Sequence, residues 1–189
     1  MPGHIYVDES KAHGFRFVMA LVDGGNVETA RNAMKSLAAR GARTFHASHE
    51  SDRRRRQALR VVAPLPVRFW VLEVPLSPHR GRARETGVKR VMTLAVGLGA
   101  SRVVFDLDES NLSRDRLAAA SVLAPLDPDT RPTYDHQKAA TEPLPWLPDL
   151  VAEPHGPARD RRPDRGTPLE SAKPGVPTVR KATRLTSQG

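Results

Sequence analysis

Short apolar segments alternate with longer amphipathic segments along the first 152 residues of the chain. The apolar segments are rich in β-branched and aromatic residues, so they predict strands. The segment at 15–23 is almost continuously apolar, which is typical of a strand that is buried on both faces. The predicted strands cover residues 4–8, 15–23, 43–46, 67–74, 102–107 and 132–137.

The amphipathic segments between these strands predict helices. In the longest segment, Val88, Val91, Met92, Ala95 and Leu98 recur with a period of about 3.6 residues. Pro78 suits its first turn because proline lacks the N–H that a first helical turn leaves unpaired. The predicted helices cover residues 26–39, 51–62, 78–98, 112–123 and 146–152.

The order of the elements predicts the fold class. Strands come first and then alternate with helices, which favours an α/β domain with a mixed sheet over residues 1–152. Residues 153–189 differ in composition: six of these 37 residues are proline, none is aromatic, and no apolar periodicity is present. Such a segment buries too little surface to offset the entropy of ordering, so we expect a disordered basic tail.

Composition excludes several classes of protein. The chain of 189 residues has no cysteine, which excludes a disulfide scaffold, a thiol nucleophile and zinc bound by cysteine. No apolar run approaches the ~18 residues of a membrane-spanning helix. The first residues do not form a secretory signal, so we expect a cytoplasmic protein without a membrane partner. The net charge of +9 suits a polyanionic partner such as nucleic acid, and it equally suits an arginine-rich soluble protein.

Two carboxylates follow predicted strands directly. Asp8 comes after Ile5, Tyr6 and Val7, and Asp106 comes after an apolar segment at 103–105. Side chains at the carboxyl ends of strands point into the crevice where ligands bind in open sheets. Two such acids on neighbouring strands would repel each other unless a cation lay between them, and oxygen ligands suit Mg²⁺ or Mn²⁺. The alternative is that each acid caps the turn or helix that follows.

A third carboxylate, Asp149, lies at the edge of an apolar helical stripe. On a helical wheel it falls between Trp146 and Leu150, so we expect its side chain to lie at the boundary between the core and the solvent. The alternative is an ordinary acid in the first turn of a helix, where the helix dipole favours negative charge.

Four segments resemble a known family in the family's order. They are YVDES at 6–10, FHASHES at 45–51, VVFD at 103–106 and PWLPDLVA at 145–152. Together they are similar to the blocks of the domain of unknown function 3800 proteins. The resemblance covers about residues 4–152.

This resemblance implies a ribonuclease H-like fold. In that fold, nucleases and transposases hold two metal ions on acids from the first strand, the fourth strand and the last helix, which correspond here to Asp8, Asp106 and Asp149. The implied activity is two-metal hydrolysis of nucleic-acid phosphodiesters. The alternative is a non-catalytic ribonuclease H-like module that binds nucleic acid or a protein partner.

Three further residues lie in the segments that carry the resemblance. Glu9 is a candidate second-tier metal ligand, although alternate residues of a strand face opposite ways. His46 and Glu50 are candidates for a proton shuttle or an outer metal partner. The alternative is that His46 packs at a strand end and Glu50 lies near a helix N-terminus.

Two basic clusters are candidates for contact with nucleic acid. The run Arg53, Arg54, Arg55 and Arg56 is the densest, and the second cluster includes Arg80 and Arg84. Such charges bind phosphate backbones, and the alternative is a pair of solvated helix faces. Few aromatic side chains are available for base stacking, so we expect contact with the backbone rather than with the bases.

The segment around Asp106 also resembles the nucleophile motif of haloacid dehalogenase-type phosphatases, in which Asp108 would be the acid/base. Three features disfavour this interpretation. The motif lies past the middle of the chain, Glu109 and Ser110 replace the usual Gly-Thr, and little folded chain follows.

Overall fold

The computed structural model describes residues 2–10, 15–38, 44–74, 80–152 and 179–182. Its strands are β1 (His4–Ser10), β2 (Phe15–Val22), β3 (Val67–Val74), β4 (Arg102–Asp106), β5 (Thr133–Gln137) and β6 (Val179–Ala182). Its α-helices are α1 (Val27–Lys35), α2 (Asp52–Val62), α3 (Arg80–Gly97), α4 (Leu112–Leu123) and α5 (Trp146–Ala152). Three 3-10 turns lie at Gly24–Asn26, Ala47–His49 and Pro128–Thr130.

The strands form one mixed sheet in the order β5-β4-β1-β2-β3-β6. The pairs β1–β4 and β4–β5 are parallel, whereas β1–β2, β2–β3 and β3–β6 are antiparallel. Strands β1, β2 and β3 are neighbours in the sheet in the same order as along the chain. Helix α3 connects β3 to β4, and helix α4 connects β4 to β5. This arrangement confirms the expected α/β class, a ribonuclease H-like mixed sheet flanked by helices.

Each face of the sheet is covered by its own helices. One face, here the α3–α4 face, buries side chains that include Ile5, Val7 and Phe105 under α3 and α4. The other, here the α5 face, buries side chains that include Tyr6 and Val104 under α1, α2 and α5. Because successive strand residues point to opposite faces, neighbours such as Val7 and Tyr6 belong to different cores.

Two expected segments differ from the structure in kind, and α1 ends at Lys35, before the expected limit. Residues 44–46 form no strand; Phe45 is instead buried in the α5 face, with its ring centroid 6.3 Å from that of Trp146. Its apolar character therefore reflects side-chain packing rather than a strand ladder. Residues 179–182, within the expected disordered tail, form β6 against Phe69–Leu72 of β3, and the rest of that tail lies outside the described residues. Pro78 and Ala39, the expected limits of two helices, also lie outside them.

No helix in the described ranges is long and apolar enough to cross a lipid bilayer.

Candidate carboxylate site

The strand register brings Asp8 and Asp106 side by side. The parallel pairing of β1 and β4 aligns Val7 with Phe105, and the two aspartates are the next residues on each strand. Val7 and Phe105 face α3 and α4, so both aspartates face the α5 side. Strand β1 continues past Asp8 to Ser10 because Glu9 and Ser10 still pair with β2.

Helix α5 brings Asp149 to the same face. Trp146, Leu147 and Leu150 are buried against the sheet, while Asp149 is half-buried. One carboxylate oxygen of Asp149, Oδ2, accepts a hydrogen bond of 2.9 Å from the backbone N–H of Ala47. This bond ties the turn at Ala47–His49 to α5 and fixes the orientation of the Asp149 side chain.

Burial and mutual repulsion make Asp8 hard to ionise. Burial raises the pKa of Asp8 to about 8, and the charges of Asp149 and Asp106 add to the rise. Burial also raises the pKa of Asp106, against the opposing effect of a 3.1 Å hydrogen bond from the N–H of Leu107. Within the part of the chain that the structure describes, no lysine or arginine forms an ion pair with Asp8 or Asp106. Among the described residues, Asp8 and Asp106 therefore have no lysine or arginine as a counter-ion.

The donor chemistry of this site suits a hard divalent cation. Carboxylate oxygens are the ligands that Mg²⁺ prefers, and Mg²⁺ usually takes one or two carboxylates and retains several waters. Among the described residues, however, no three histidine, aspartate or glutamate side chains form a group that could hold a metal ion as they stand. Asp8 and Asp106 would therefore hold the ion as a pair, with the charge of Asp149, the expected third ligand, acting on Asp8 from the same face.

Glu9 lines the same cavity as Asp8 and Asp106, and its expected role as a second-tier ligand stays a prediction. It follows Asp8 on the strand and so lies on the α3–α4 face, where it forms an ion pair with Arg84. Arg84 is not a nucleic-acid contact as expected, because only 6% of it is exposed. Its guanidinium is held in two bonds by the carboxylate of Asp115, at 2.9 Å and 2.8 Å.

A buried polar network surrounds Arg84, and sequence reasoning missed it. Asp115 is fully buried, and its Oδ2 lies 3.2 Å from Nε2 of His136, which in turn lies 3.2 Å from the hydroxyl of Tyr134. Although burial alone would raise the pKa of Asp115, the bonds from His136 and Arg84 hold it below its ordinary value. A signal was present in the sequence, because Asp115 shares a helical face with Ala118 and Ala119.

His46 and Glu50 have different surroundings. His46 is exposed and close enough to Asp106 for its charge to lower the pKa of that aspartate, so it borders the carboxylate site. Glu50 forms an ion pair of 3.2 Å with Nε of Arg54. The carboxylate of Glu50 therefore supports the start of α2, which is the alternative that the sequence left open.

The arginine run divides into two sets. Arg54 is tied to Glu50 and donates a 2.9 Å hydrogen bond to the carbonyl of Leu37, and Arg55 forms a 2.6 Å ion pair with Asp52. The exposed set, here called the α2 arginine face, consists of Arg53, Arg56 and Arg60. These three line an open surface depression together with Gln57. The side chain of Arg80, another expected contact, lies outside the described residues.

The strand order and the strand directions are those of a ribonuclease H-like α/β domain. No family model and no curated protein matches the sequence. Among solved structures, a chain from the PCNA–ribonuclease HII complex of Archaeoglobus fulgidus is similar over 80% of this chain and 69% of that chain. The identity is 16% and the TM-score is 0.47.

Proposed function

We propose that this protein is a divalent-metal-dependent nuclease that hydrolyses nucleic-acid phosphodiesters. The observation that carries the proposal is the placement of Asp8, Asp106 and Asp149 on one face of the sheet, where burial and the charges of the other two aspartates raise the pKa of Asp8 to about 8. A buried carboxylate that resists ionisation lowers the stability of the fold. Strongly perturbed carboxylates are typical of functional sites.

The three aspartates and His46 would have different roles in this reaction. Asp8 and Asp106 would hold Mg²⁺ or Mn²⁺, and the charge of Asp149 would strengthen that binding from a short distance. A bound ion supplies positive charge that activates water and stabilises the leaving oxygen. His46 would hold or move a proton at the exposed edge of the site, because an imidazole ring has one nitrogen that accepts a proton and one that donates it.

The substrate class follows from charge. The net charge of +9 and the α2 arginine face favour a polyanion, and a polyanion with hydrolysable phosphodiesters is nucleic acid. Membership of the domain of unknown function 3800 family, which rests on the four sequence segments, stays a prediction.

Cleavage of end-labelled DNA and RNA, single- and double-stranded, tests the proposal. We expect cutting in Mg²⁺ or Mn²⁺, none in chelator, and loss of cutting in Asp106→Asn. Asp135→Asn is the matched control, because the partly exposed carboxylate of Asp135 is bound by Arg102, by the side chain of Gln137 and by the N–H of His136, away from the carboxylate site. Cutting that survives both chelator and Asp106→Asn would rule the proposal out.

A non-catalytic ribonuclease H-like module is the second candidate. The observation that favours it is the lack, among the described residues, of a three-carboxylate group able to hold a metal ion as it stands. Binding of nucleic acid without cleavage in either metal would support this module and exclude the nuclease.

A further inference from the structure

The α2 arginine face carries positive charge that the described structure leaves unneutralised. Its members follow one another at spacings of three and four residues, which places them along one side of the helix. The nearby acids are already engaged, because Asp52 pairs with Arg55 and Glu50 pairs with Arg54.

This face is unfavourable for the helix that carries it. Like charges three or four residues apart destabilise a helix, and Arg53 lies in the first turn, where the helix dipole disfavours positive charge. The packing of α2 relies on the opposite side, where Ala58 and Val62 are buried. A bound anion would offset both costs.

The position of α2 relates this face to the carboxylate site. The helix begins just after the turn at Ala47–His49, and the N–H of Ala47 binds Asp149. From Arg53 to Arg60 the helix advances ~10 Å. That distance corresponds to about three base-pair steps along the axis of a duplex.

We infer that the α2 arginine face binds the phosphate backbone of the nucleic acid on which the carboxylate site acts. This inference rests on the proposed function and adds to it the surface that binds the substrate. This binding is independent of base sequence, because the arginines contact phosphates and do not contact the edges of the bases. Arg54 and Arg55, although part of the same run, take no part in it.

The test compares two double variants of the full chain that lose the same charge. Arg56→Gln/Arg60→Gln removes two members of the face, and Arg114→Gln/Arg116→Gln removes two exposed arginines of α4. Binding of fluorescein-labelled DNA duplexes of two unrelated sequences is measured in chelator over a salt series. We expect the first variant to reduce the slope of log K against log salt by ~2 for both sequences, and the second to leave the slope unchanged.

An equal slope change in both variants, no change in the first, or no duplex binding by the wild type would overturn the inference. Binding of heparin but not of nucleic acid would also overturn it. Cleavage in Mg²⁺ separates this inference from the proposed function. If only the inference fails, Arg56→Gln/Arg60→Gln binds and cuts like the wild type; if only the proposed function fails, binding depends on these arginines and no cutting occurs.

Discussion

Asp8 is the residue whose environment differs most from that of an ordinary aspartate. It lies inside a strand rather than at its end, and its charge is opposed by burial, by Asp149 and by Asp106. The folded state therefore binds a proton at Asp8 more tightly than the unfolded state does. Between its ordinary pKa of 3.8 and about 8, the contribution of Asp8 to the free energy of unfolding should fall as the pH rises, and this contribution should be lowest above that window.

The first prediction concerns the removal of this charge. In chelator, Asp8→Asn should flatten the pH dependence of stability and raise the free energy of unfolding above pH 8 by ~1–3 kcal/mol, because an amide carries no charge to repel. Urea unfolding over a pH series measures both effects. Asp23→Asn, at an exposed ion pair with Arg68, serves as the control. An Asp8→Asn variant with the wild-type pH dependence would contradict this account.

The second prediction concerns the buried ion network on the α3–α4 face. Asp115→Asn would leave the buried guanidinium of Arg84 without its main partner, so we expect a loss of ~3–5 kcal/mol. Asp135→Asn, at the surface pair with Arg102, should lose less than ~1 kcal/mol. Chemical denaturation of both variants makes the comparison. Equal losses would mean that the network contributes no more than a surface pair does.

At the scale of elements, one glycine of α3 sets how closely this helix packs on β2. A methyl group on Gly87 would overlap the ring of Phe17, which is buried beneath the helix. The third prediction is that Gly87→Ala destabilises the protein by ~1–3 kcal/mol through overpacking. In the same helix, Gly97 has open space at the corresponding position, so Gly97→Ala should instead stabilise by ~0.5–1 kcal/mol. Thermal unfolding distinguishes the two, and matching signs would contradict the packing described here.

The sequence predicted elements well where periodicity is strong. The predicted limits 67–74, 112–123 and 146–152 coincide with β3, α4 and α5. The prediction at 43–46 differs from the structure at 44–46, because an apolar residue such as Phe45 can be buried by packing without a strand partner. Local patterns cannot distinguish these two causes.

The candidate site was predictable in part for a related reason. Asp8 and Asp106 are visible as acids that follow apolar segments, and their adjacency depends only on the parallel pairing of two strands. The partners of Glu9 and Arg84 depend on which face each side chain occupies and on helices that are distant in sequence. An arginine in a basic cluster therefore looked like a surface residue, although it lies at the centre of a buried network.

For the molecule as a whole, the two faces of the sheet have different roles. On the α5 face, Asp8 and Asp106 form no ion pair with a lysine or arginine among the described residues, whereas on the α3–α4 face Glu9 and Asp115 pair with Arg84. Asp8 and Glu9 are adjacent on β1 and belong to opposite faces. This adjacency provides a matched pair for testing where the chemistry occurs.

The most direct measurement is the single-turnover cleavage rate of Asp8→Asn beside that of Glu9→Gln, in Mg²⁺, with circular dichroism to verify that both variants are folded. A lost metal ligand removes several kcal/mol of transition-state stabilisation, so Asp8→Asn should cut at least ~100-fold more slowly. Glu9→Gln should cut at close to the wild-type rate. If Asp8→Asn cuts like the wild type, or if Glu9→Gln alone loses activity, the α5 face is not the catalytic site.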